Sequence, residues 1–518
     1  MGLKPTRTRY AKNHWRTLLL GAGVLATGVA DASLQNEDVS QDLVVKYATN
    51  RICRTLDQGR CKEWDDVKLR SYNGQLVGPT IEARPGDTLR IVLDNQLPPE
   101  PVRGMVDPNI PHGFNVTNLH THGLHVSPAG NADNVMLSLE PGQKFEYEIK
   151  IPADHPAGTF WYHAHKHGSV SIQVSSGMAG ALIIRGGLDE VPAIRAARER
   201  VFVFQQIPYA LINDPYVPGT RANMVEDFEA SFAEGRWEAS GRRTTINGIV
   251  EPVIKMRGGE VQRWRFIHAG FRESLRIKLV RERDPQSVVS YYQLAHDGLA
   301  TGRLDQVDET VMHPGYRTDV LVRAGNRPET YLLIDEATAA EESFTGLSET
   351  RKVLARIEIE GSFSSMPLPD TASLAPYAPF KSITNEELTG TQEARFDIDV
   401  QSTPAKYLIN GKPFDPDTPP RKLTLGAVEE WRVSSSPLTS HIFHIHVNPF
   451  QIVTADGKGI WRDTLFVKAN QSVRLRTRYE RYVGKFVTHC HILDHEDQGM
   501  MEVLEIVHPG TSMHEKQH

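Results

Sequence analysis

The sequence predicts an all-β protein built from three β-sandwich domains in tandem. Glycine and proline are plentiful, with 40 and 32 residues among 518, and apolar runs are short, as in chains with many strands and turns. One pattern of turns and strands also occurs three times, with wide spacing between the copies. A chain of this length is expected to hold about three to four domains.

Each copy of the pattern has an Asn-Gly turn, a short strand, a second glycine turn and an alternating strand. The Asn-Gly pairs are Asn73-Gly74, Asn247-Gly248 and Asn410-Gly411. This spacing favours three copies of one sandwich over a solenoid. The predicted domains are residues 40–190, 197–360 and 390–510. A linker-like Gly186-Gly187 marks the end of the first domain, and a segment rich in proline and serine from 361 to 380 separates the second domain from the third.

Residues 1–32 are predicted to form a signal peptide. Basic residues precede an apolar run from Thr17 to Ala30, and small residues at Ala30 and Ala32 suit a signal peptidase. The run is short for a bilayer span, although an uncleaved anchor is the alternative, and no later stretch is long enough. We therefore expect a secreted protein of a bacterial periplasm, without a membrane span in the mature chain.

The charge of the chain argues against a nucleic-acid partner. It has 58 Lys and Arg against 64 Asp and Glu, which gives a formal net charge of −6. The sequence contains no dense basic stripe of the kind that binds a phosphate backbone.

The three cysteines are expected to have two different roles. Cys53 and Cys61 lie close together and would form a disulfide after export, the alternative being two free thiols. Cys490 has no partner and lies among histidines. An unpaired thiol in an oxidising compartment is best explained by metal binding.

Histidines occur in four His-X-His pairs. The pairs are His120/His122, His163/His165, His444/His446 and His489/His491. Alternate residues of a strand face the same way, so we expect each pair to aim two imidazoles at one place. A single pair would mean little, but four in one chain predict a metal cluster.

The residues near Cys490 predict copper. Two imidazoles, a thiolate and a weak thioether form the blue-copper ligand set, and the candidates are His441, Cys490, His495 and Met500. Zinc is redox-inert and would make no use of such a site. Because side chains alternate, Cys490 should face one metal while its neighbours His489 and His491 face others.

With these motifs the sequence resembles the three-domain multicopper oxidases, which include laccases, ascorbate oxidase, ferroxidases and bacterial cuprous oxidases. The resemblance spans roughly Val44 to Val507 and implies three cupredoxin-like Greek-key domains. It implies four copper ions: a type 1 copper, a type 2 copper and two type 3 coppers. The implied type 1 ligands are the four residues named above. The implied type 2 ligands are His120 and His444. The implied type 3 ligands are His122, His163, His165, His446, His489 and His491.

Reduction of O₂ to water consumes protons, so acidic groups are expected at the cluster. Asp133 and Glu496 resemble the proton-relay carboxylates of the family, and we expect them to be catalytic. The alternative for Asp133 is a turn-forming residue. The alternatives for Glu496 are a solvated side chain or a partner that orients His495.

The partners implied by the resemblance are O₂ and a small reducing substrate. The loop Pro437-Leu438-Thr439-Ser440 lacks the Asp and Met that bacterial cuprous oxidases carry there, and only 11 methionines occur in the chain. Phenols or aromatic amines are therefore the first expectation, as for a laccase, and Cu(I), Mn(II) or Fe(II) the second. A binding module that has lost its copper ligands would show gaps in the motifs, and there are none. His125, His155 and His167 match no ligand position and are expected to be structural.

Overall fold

The computed structural model describes residues 38–57, 59–100, 107–226, 228, 243–344, 348–454 and 459–511. The predicted signal peptide, residues 1–32, lies outside the described residues. The described residues form six β-sheets and a few short helices, which confirms the all-β class. Within these ranges, no helix is both long and apolar enough to cross a membrane.

The first part of the chain forms two sheets and one short helix. Its strands are β1 Asp38–Asp57, β2 Arg60–Tyr72, β3 Ile81–Ala83, β4 Thr88–Asn95, β5 His120–His122, β6 Lys144–Lys150, β7 Gly158–His163 and β8 Ala179–Ile184. Helix α1 spans Val170–Ser175. One sheet contains β2-β1-β4-β6 in this order, and the other contains β3-β8-β7-β5.

The middle part begins with a 3-10 helix, Gly187–Glu190, and helix α2, Pro192–Ala196. Its strands are β9 Arg198–Ile207, β10 Ala210–Asn213, β11 Arg221–Met224, β12 Arg243–Ile246, β13 Val253–Arg257, β14 Val261–His268, β15 Leu275–Arg281, β16 Asp284–Val288, β17 Tyr291–His296, β18 Leu299–Val307, β19 Thr310–Met312, β20 Arg317–Arg323, β21 Glu329–Asp335 and β22 Lys352–Glu360. A further 3-10 helix spans Ala340–Glu342. The sheet orders are β12-β9-β14-β20-β17-β18 and β13-β22-β21-β15-β16, with β19 on β15, while β10 and β11 extend the first sheet beyond β2.

The last part begins with helix α3, Thr371–Leu374, and a 3-10 helix, Ala375–Tyr377. Its strands are β23 Gly390–Asp399, β24 Lys406–Ile409, β25 Arg421–Thr424, β26 Val428–Ser435, β27 His441–Ile445, β28 Phe450–Ile452, β29 Ile460–Arg462, β30 Thr464–Val467, β31 Ser472–Arg478, β32 Gly484–Cys490 and β33 Met501–Val507. Helix α4 spans Leu493–Asp497. The sheet orders are β24-β23-β26-β31-β28-β29 and β25-β33-β32-β27-β30.

Three large clusters of buried apolar side chains each draw on one part of the chain. They extend from Leu43 to Ile184, from Phe202 to Ile359 and from Ala394 to Ile506. Alternating burial along the strands places these side chains between the sheets of each part. The predicted domain boundaries stay a prediction, because the described residues pack as one compact unit.

The three Asn-Gly pairs have the same conformation, which confirms the predicted turns. Asn73, Asn247 and Asn410 have φ of 56°, 52° and 53°, and the following glycines have φ of 78°, 80° and 77°. Both central residues of a type I′ turn need positive φ, and Asn-Gly is the pair that tolerates it best. Each asparagine Oδ1 also accepts a hydrogen bond from a neighbouring strand.

The predicted disulfide is present. Cys53 on β1 and Cys61 on β2 are joined near the end of the long hairpin that these strands form. Among the described residues, Cys490 is then the one free cysteine, and it is buried.

His268, at the end of β14, gives the fold a dependence on pH. Its Nε2–H donates to the Glu273 carbonyl over 2.8 Å, and its Nδ1 accepts from the Gly270 amide over 3.1 Å. Burial lowers the pKa of this ring to about 4, whereas the unfolded value is about 6.5. The neutral ring is thus built into the fold, and the unfolded chain takes up a proton that the folded chain excludes.

We expect stability to fall as the pH drops from about 6.5 towards 4, with a contribution of about 3 kcal/mol from His268 at the lower end. The thermal unfolding midpoint of the wild type should therefore fall more steeply over this window than that of His268→Gln. His508→Gln, at an exposed position, is the control for replacing a histidine. Equal slopes for the wild type and His268→Gln would contradict the prediction.

Candidate metal centre

Two antiparallel strand pairs bring the predicted histidine motifs together. β5 pairs with β7 so that His120 lies opposite His163. β27 pairs with β32 so that His444 lies opposite His489. The second members of the four pairs are His122, His165, His446 and His491. All eight side chains are buried, so backbone pairing and packing fix their positions.

The ring nitrogens of these histidines form groups that could each hold a metal ion. Within a group, the candidate ligand atoms lie within 4.8 Å of one another. The groups made of histidines alone are His165, His446 and His489; His122, His163 and His491; and His120, His122 and His444. In the first of these, the Nε2 atoms are 3.1–3.2 Å apart. Each group combines the first and last parts of the chain, so the cluster forms where those parts meet.

Three of the four motifs divide their two histidines between groups, which corrects the expectation that each pair aims at one place, whereas His120 and His122 share a group as expected. His163 and His165 belong to different groups, and so do His489 and His491. The physical reason is the rise of an extended chain, which separates residues i and i+2 by roughly 6.6 Å. Side chains on the same face therefore reach adjacent positions, and the motifs build a row of neighbouring sites.

The predicted thiolate site lies at the end of β32. Cys490 Sγ is 3.6 Å from His441 Nδ1 and 3.9 Å from His495 Nδ1, and the two nitrogens are 3.4 Å apart. Met500 is fully buried, and its carbonyl accepts a 3.0 Å hydrogen bond from the Cys490 amide. The chain from 490 to 500 thus turns around the sulfur through helix α4.

The side chains of Cys490 and of its neighbours at the end of β32 point to different sites, as the alternation of side chains along a strand predicts. Cys490 contacts His441 and His495, whereas His489 and His491 belong to two of the histidine groups. One short stretch of backbone therefore joins the thiolate site to the cluster.

The histidine cluster fits a metal better than it fits a network of hydrogen bonds. The Nε2 atoms of His120, His163 and His444 are buried and have no hydrogen-bond partner among the described residues. The Nδ1–H groups of the same rings donate to the Asp133 carboxylate and to the carbonyls of Ala164 and Asp463. A buried polar atom without a partner costs about 1–3 kcal/mol. An oriented Nδ1–H with a free Nε2 is typical of metal-binding histidine.

Burial also sets the protonation states that a metal needs. Burial, reinforced by neighbouring imidazoles, lowers the pKa of His120 and His444 well below the usual range. Burial lowers the pKa of His163 to about 3, against the hydrogen bond to the Ala164 carbonyl. Burial raises the pKa of the Cys490 thiol to about 12, so a bound metal must displace that proton.

Asp133 lies against the first histidine motif. Its Oδ2 is 2.9 Å from His120 Nδ1, and its Oδ1 accepts a 2.7 Å hydrogen bond from the Thr121 amide. Burial raises the pKa of this carboxyl to about 7, while the hydrogen bonds from Thr121 act in the opposite direction. A turn-forming role alone does not account for a carboxylate that is 3 % exposed and directed at the cluster.

Glu496 is fully buried on α4 and faces two other histidines. Its Oε2 is 3.0 Å from His489 Nδ1, and its Oε1 is 3.5 Å from His165 Nδ1. Both alternatives considered for it, a solvated side chain and a partner of His495, are wrong. Successive helical residues point about 100° apart, which turns position 496 towards the cluster. Because His489 Nδ1 donates to the Cys490 carbonyl, neither Glu496 oxygen has a donor among the described residues.

Two further buried carboxylates were not predicted from the sequence, that of Asp463 at the cluster and that of Asp497 on α4. Asp463 Oδ1 is 3.2 Å from His122 Nε2, across 341 residues of chain. Asp497 accepts hydrogen bonds from the Ser171 amide and hydroxyl over 2.8 and 2.6 Å, which ties α4 to α1. The one signal in the sequence was position, since Asp497 directly follows Glu496.

His125, His155 and His167 have structural roles, as predicted. The His125 amide donates to His155 Nε2 over 3.0 Å, and His167 Nε2 donates to the Pro108 carbonyl over 2.9 Å. None of the three belongs to a candidate metal group among the described residues.

An all-β chain with a buried thiol among imidazoles, joined to a cluster of histidines, is a copper-dependent oxidoreductase. Copper at such a site supplies one-electron redox chemistry, which zinc cannot. Two family models described as multicopper oxidase match residues 110–188 and 377–509, the ranges that contain all the predicted ligands. The first and last parts of the chain thus carry multicopper oxidase domains, and the chain is a copper oxidoreductase that uses O₂ as the electron acceptor.

Curated relatives are similar over most of their length. The chain is 23% identical to multicopper oxidase mco of Staphylococcus aureus over 457 residues, which covers 84% of this chain and 83% of the relative. It is 25% identical to a laccase of Haloferax volcanii over 481 residues, which covers 86% and 79%.

Solved structures share the fold. A laccase from Pediococcus acidilactici matches with a TM-score of 0.70 at 22% identity, covering 91% of this chain and 90% of the other. A multicopper oxidase from Campylobacter jejuni, described as a metallo-oxidase, matches with a TM-score of 0.67 at 23% identity, covering 90% and 91%. The all-β architecture is thus that of multicopper oxidases with cupredoxin-like domains.

Proposed function

We propose that the chain holds four copper ions and couples one-electron oxidation of a small donor to four-electron reduction of O₂ to water. The observation that carries this proposal is the stretch His489-Cys490-His491, which joins the thiolate site to two histidine groups. The proposed type 1 ligands are His441, Cys490, His495 and Met500. The proposed type 2 ligands are His120 and His444. The proposed type 3 ligands are His122, His163, His165, His446, His489 and His491.

Two carboxylates are proposed to deliver protons on the O₂ side. Asp133 holds His120 Nδ1, and Glu496 lies between His489 and His165. Both carboxyl groups are buried beside histidines of the cluster, which places them close enough to pass protons to O₂ that is reduced there. Their positions on two sides of the histidines support separate delivery routes.

The surroundings of the type 1 site favour an organic donor. His495 is 9 % exposed, while His441 and Cys490 are fully buried, so a donor approaches along the His495 edge. The Tyr407 ring lies 4.8 Å from the His495 ring. Leu438, three residues before His441, is 59 % exposed. Aromatic and aliphatic groups of this kind suit a phenol or an aromatic amine.

The acidic groups near this site are paired, which disfavours a cationic donor. Burial lowers the pKa of His441, and the nearby Asp397 carboxylate acts in the opposite direction. Asp397 is itself 3.2 Å from Arg395. Asp494, on α4 beside His495, is held by a buried pair of contacts from Arg272. We therefore place laccase-like oxidation first. Oxidation of Cu(I), Mn(II) or Fe(II) is the second candidate, supported by the similarity to the Campylobacter jejuni metallo-oxidase.

Oxygen uptake by the copper-loaded protein will separate the two candidates. We expect a panel of phenols and aromatic amines to give higher kcat/KM than Cu(I), Mn(II) or Fe(II). The same preparation should contain four coppers per chain, with a blue band and a near-ultraviolet shoulder. Faster oxidation of a metal ion would reverse the order, and a colourless protein after copper loading would contradict the oxidase itself.

A pair of variants at Leu438 sharpens this comparison. Leu438→Glu adds a carboxylate near the type 1 site, and Leu438→Gln is its uncharged control. If organic donors are the substrates, Leu438→Glu should raise kcat/KM for metal ions and leave phenol oxidation within about twofold of the control, as expected for an exposed charge.

We also propose that the protein acts after export, in a bacterial periplasm. The signal-like composition of residues 1–32 supports export. The Cys53–Cys61 disulfide supports an oxidising compartment. Fractionation of cells that express the full chain tests this, and activity that remains in the cytoplasm would contradict it.

A further inference from the structure

The middle part of the chain contributes no predicted ligand, yet its backbone reaches the cluster. Gly315, just before β20, has φ of +89° and lies against the His491 ring, so that a Cβ there would come within 3.1 Å of it. The next residue but one is Arg317, whose side chain is fully buried. The start of β20 is therefore a point at which the middle part could act on the metal site.

Every N–H of the Arg317 guanidinium has an acceptor. Nε donates to the Thr159 carbonyl over 3.4 Å. Nη1 donates to the Gly315 carbonyl over 2.9 Å, and Nη2 donates to the Asp297 carbonyl over 2.9 Å. The two remaining N–H groups bind Asp463 Oδ1 and Oδ2 over 2.8 and 2.5 Å. Such a two-point contact fixes the carboxylate plane of Asp463.

Asp463 in turn fixes the tautomer of His122. A carboxylate held by arginine is an acceptor, so the 3.2 Å contact with His122 Nε2 requires the proton on Nε2. His122 Nδ1 is then the free nitrogen, and it is buried without a hydrogen-bond partner among the described residues. His120, His163 and His444 are arranged the other way, with Nδ1–H donating and Nε2 free.

The glycine that directly follows His122 supports this arrangement. Gly123 has φ of +91°, and a Cβ there would collide with Arg317 Nη2 and lie 2.6 Å from Asp463 Oδ2. The ion pair thus passes directly over the backbone that follows His122. The motif needs glycine at this position because the pair leaves no room for a side chain.

We propose that Arg317 is a positioning residue for the trinuclear cluster, acting through Asp463 to hold His122 with Nδ1 free for a metal. This inference rests on the proposed function, because it assigns His122 a metal. The middle part of the chain then has a role in O₂ reduction without contacting O₂ or the electron donor.

The test compares copper-loaded Arg317→Met with the wild type. We expect the near-ultraviolet shoulder to weaken and the type 1 blue band to remain. We expect kcat to fall roughly 10- to 100-fold, the range seen when a partner of a metal-binding histidine is lost. KM for the electron donor should not change, since the type 1 site is intact. Arg317→Lys keeps the charge with a single donor group and should be intermediate.

Arg70→Met is the matched control. Arg70 is also fully buried and bound at two points to a carboxylate, that of Glu226, but the contacts described for it include no histidine. The Arg70→Met substitution should lower the stability of the protein and leave the absorption spectrum per folded molecule unchanged.

An Arg317→Met protein with a full near-ultraviolet shoulder and wild-type kcat would overturn the inference. Equal spectral losses in Arg317→Met and Arg70→Met would overturn it as well. If Arg317→Met does not fold, the near-ultraviolet shoulder and kcat of Arg317→Lys test the inference instead. A wild type without the shoulder would instead contradict the proposed function.

Discussion

Replacing Cys490 with serine is expected to remove the blue band and to lower turnover with every donor by more than about 1,000-fold. The sulfur is the one thiolate among the proposed ligands of the site, and the backbone of Cys490 joins the site to His489 and His491. Serine has nearly the same volume, so the core around position 490 should remain packed. The histidine groups keep all their nitrogens, and the near-ultraviolet shoulder should survive.

The measurements are the visible spectrum, the copper content and oxygen uptake of the loaded variant. Copper content should fall by one ion per chain. The double variant Cys53→Ser/Cys61→Ser is the control for loss of sulfur away from the site, and it should keep the colour and the turnover. Wild-type turnover in Cys490→Ser would contradict the electron route.

Replacing Asp133 with asparagine is expected to slow O₂ reduction roughly 10- to 100-fold while the blue band stays intact. Asparagine preserves the shape and can still accept a hydrogen bond from the Thr121 amide or the His120 ring. It cannot carry a proton to the cluster. Under the proposed function the electron donor is oxidised at the Cys490 site, so KM for the donor should stay at the wild-type value.

The readout is kcat under saturating donor, together with the rate at which the reduced protein is reoxidised by O₂. Asp154→Asn is the control, because Asp154 is an exposed aspartate paired with Arg481. Unchanged reoxidation in Asp133→Asn would remove this residue from the mechanism.

Features that depend on local sequence could be predicted. The Asn-Gly turns follow from backbone preferences, and the fold class follows from the short strands between them. The thiolate site was also predictable, because Cys490, His495 and Met500 lie within eleven residues of one another. A thiolate, an imidazole and a thioether so close together in the sequence indicate a copper site without knowledge of the fold.

Features that depend on distant contacts could not be predicted. Arg317 and Asp463 are 146 residues apart and neither stands in a motif, so nothing local indicates their pairing. The direction of Glu496 depends on one turn of α4, and the division of three of the four histidine pairs between groups depends on side-chain rotamers. These properties are set by packing between parts of the chain.

The histidine groups have a consequence for the assembly of the molecule. His165 meets His446 and His489 across 281 and 324 residues, and the other groups likewise span the first and last parts of the chain. A metal bound there closes a very long loop, as a cross-link does, and binds only when both parts are docked. Part of the free energy of metal binding therefore stabilises the docked arrangement of the first and last parts. Bound copper would therefore hold the first and last parts of the chain together in addition to its redox role.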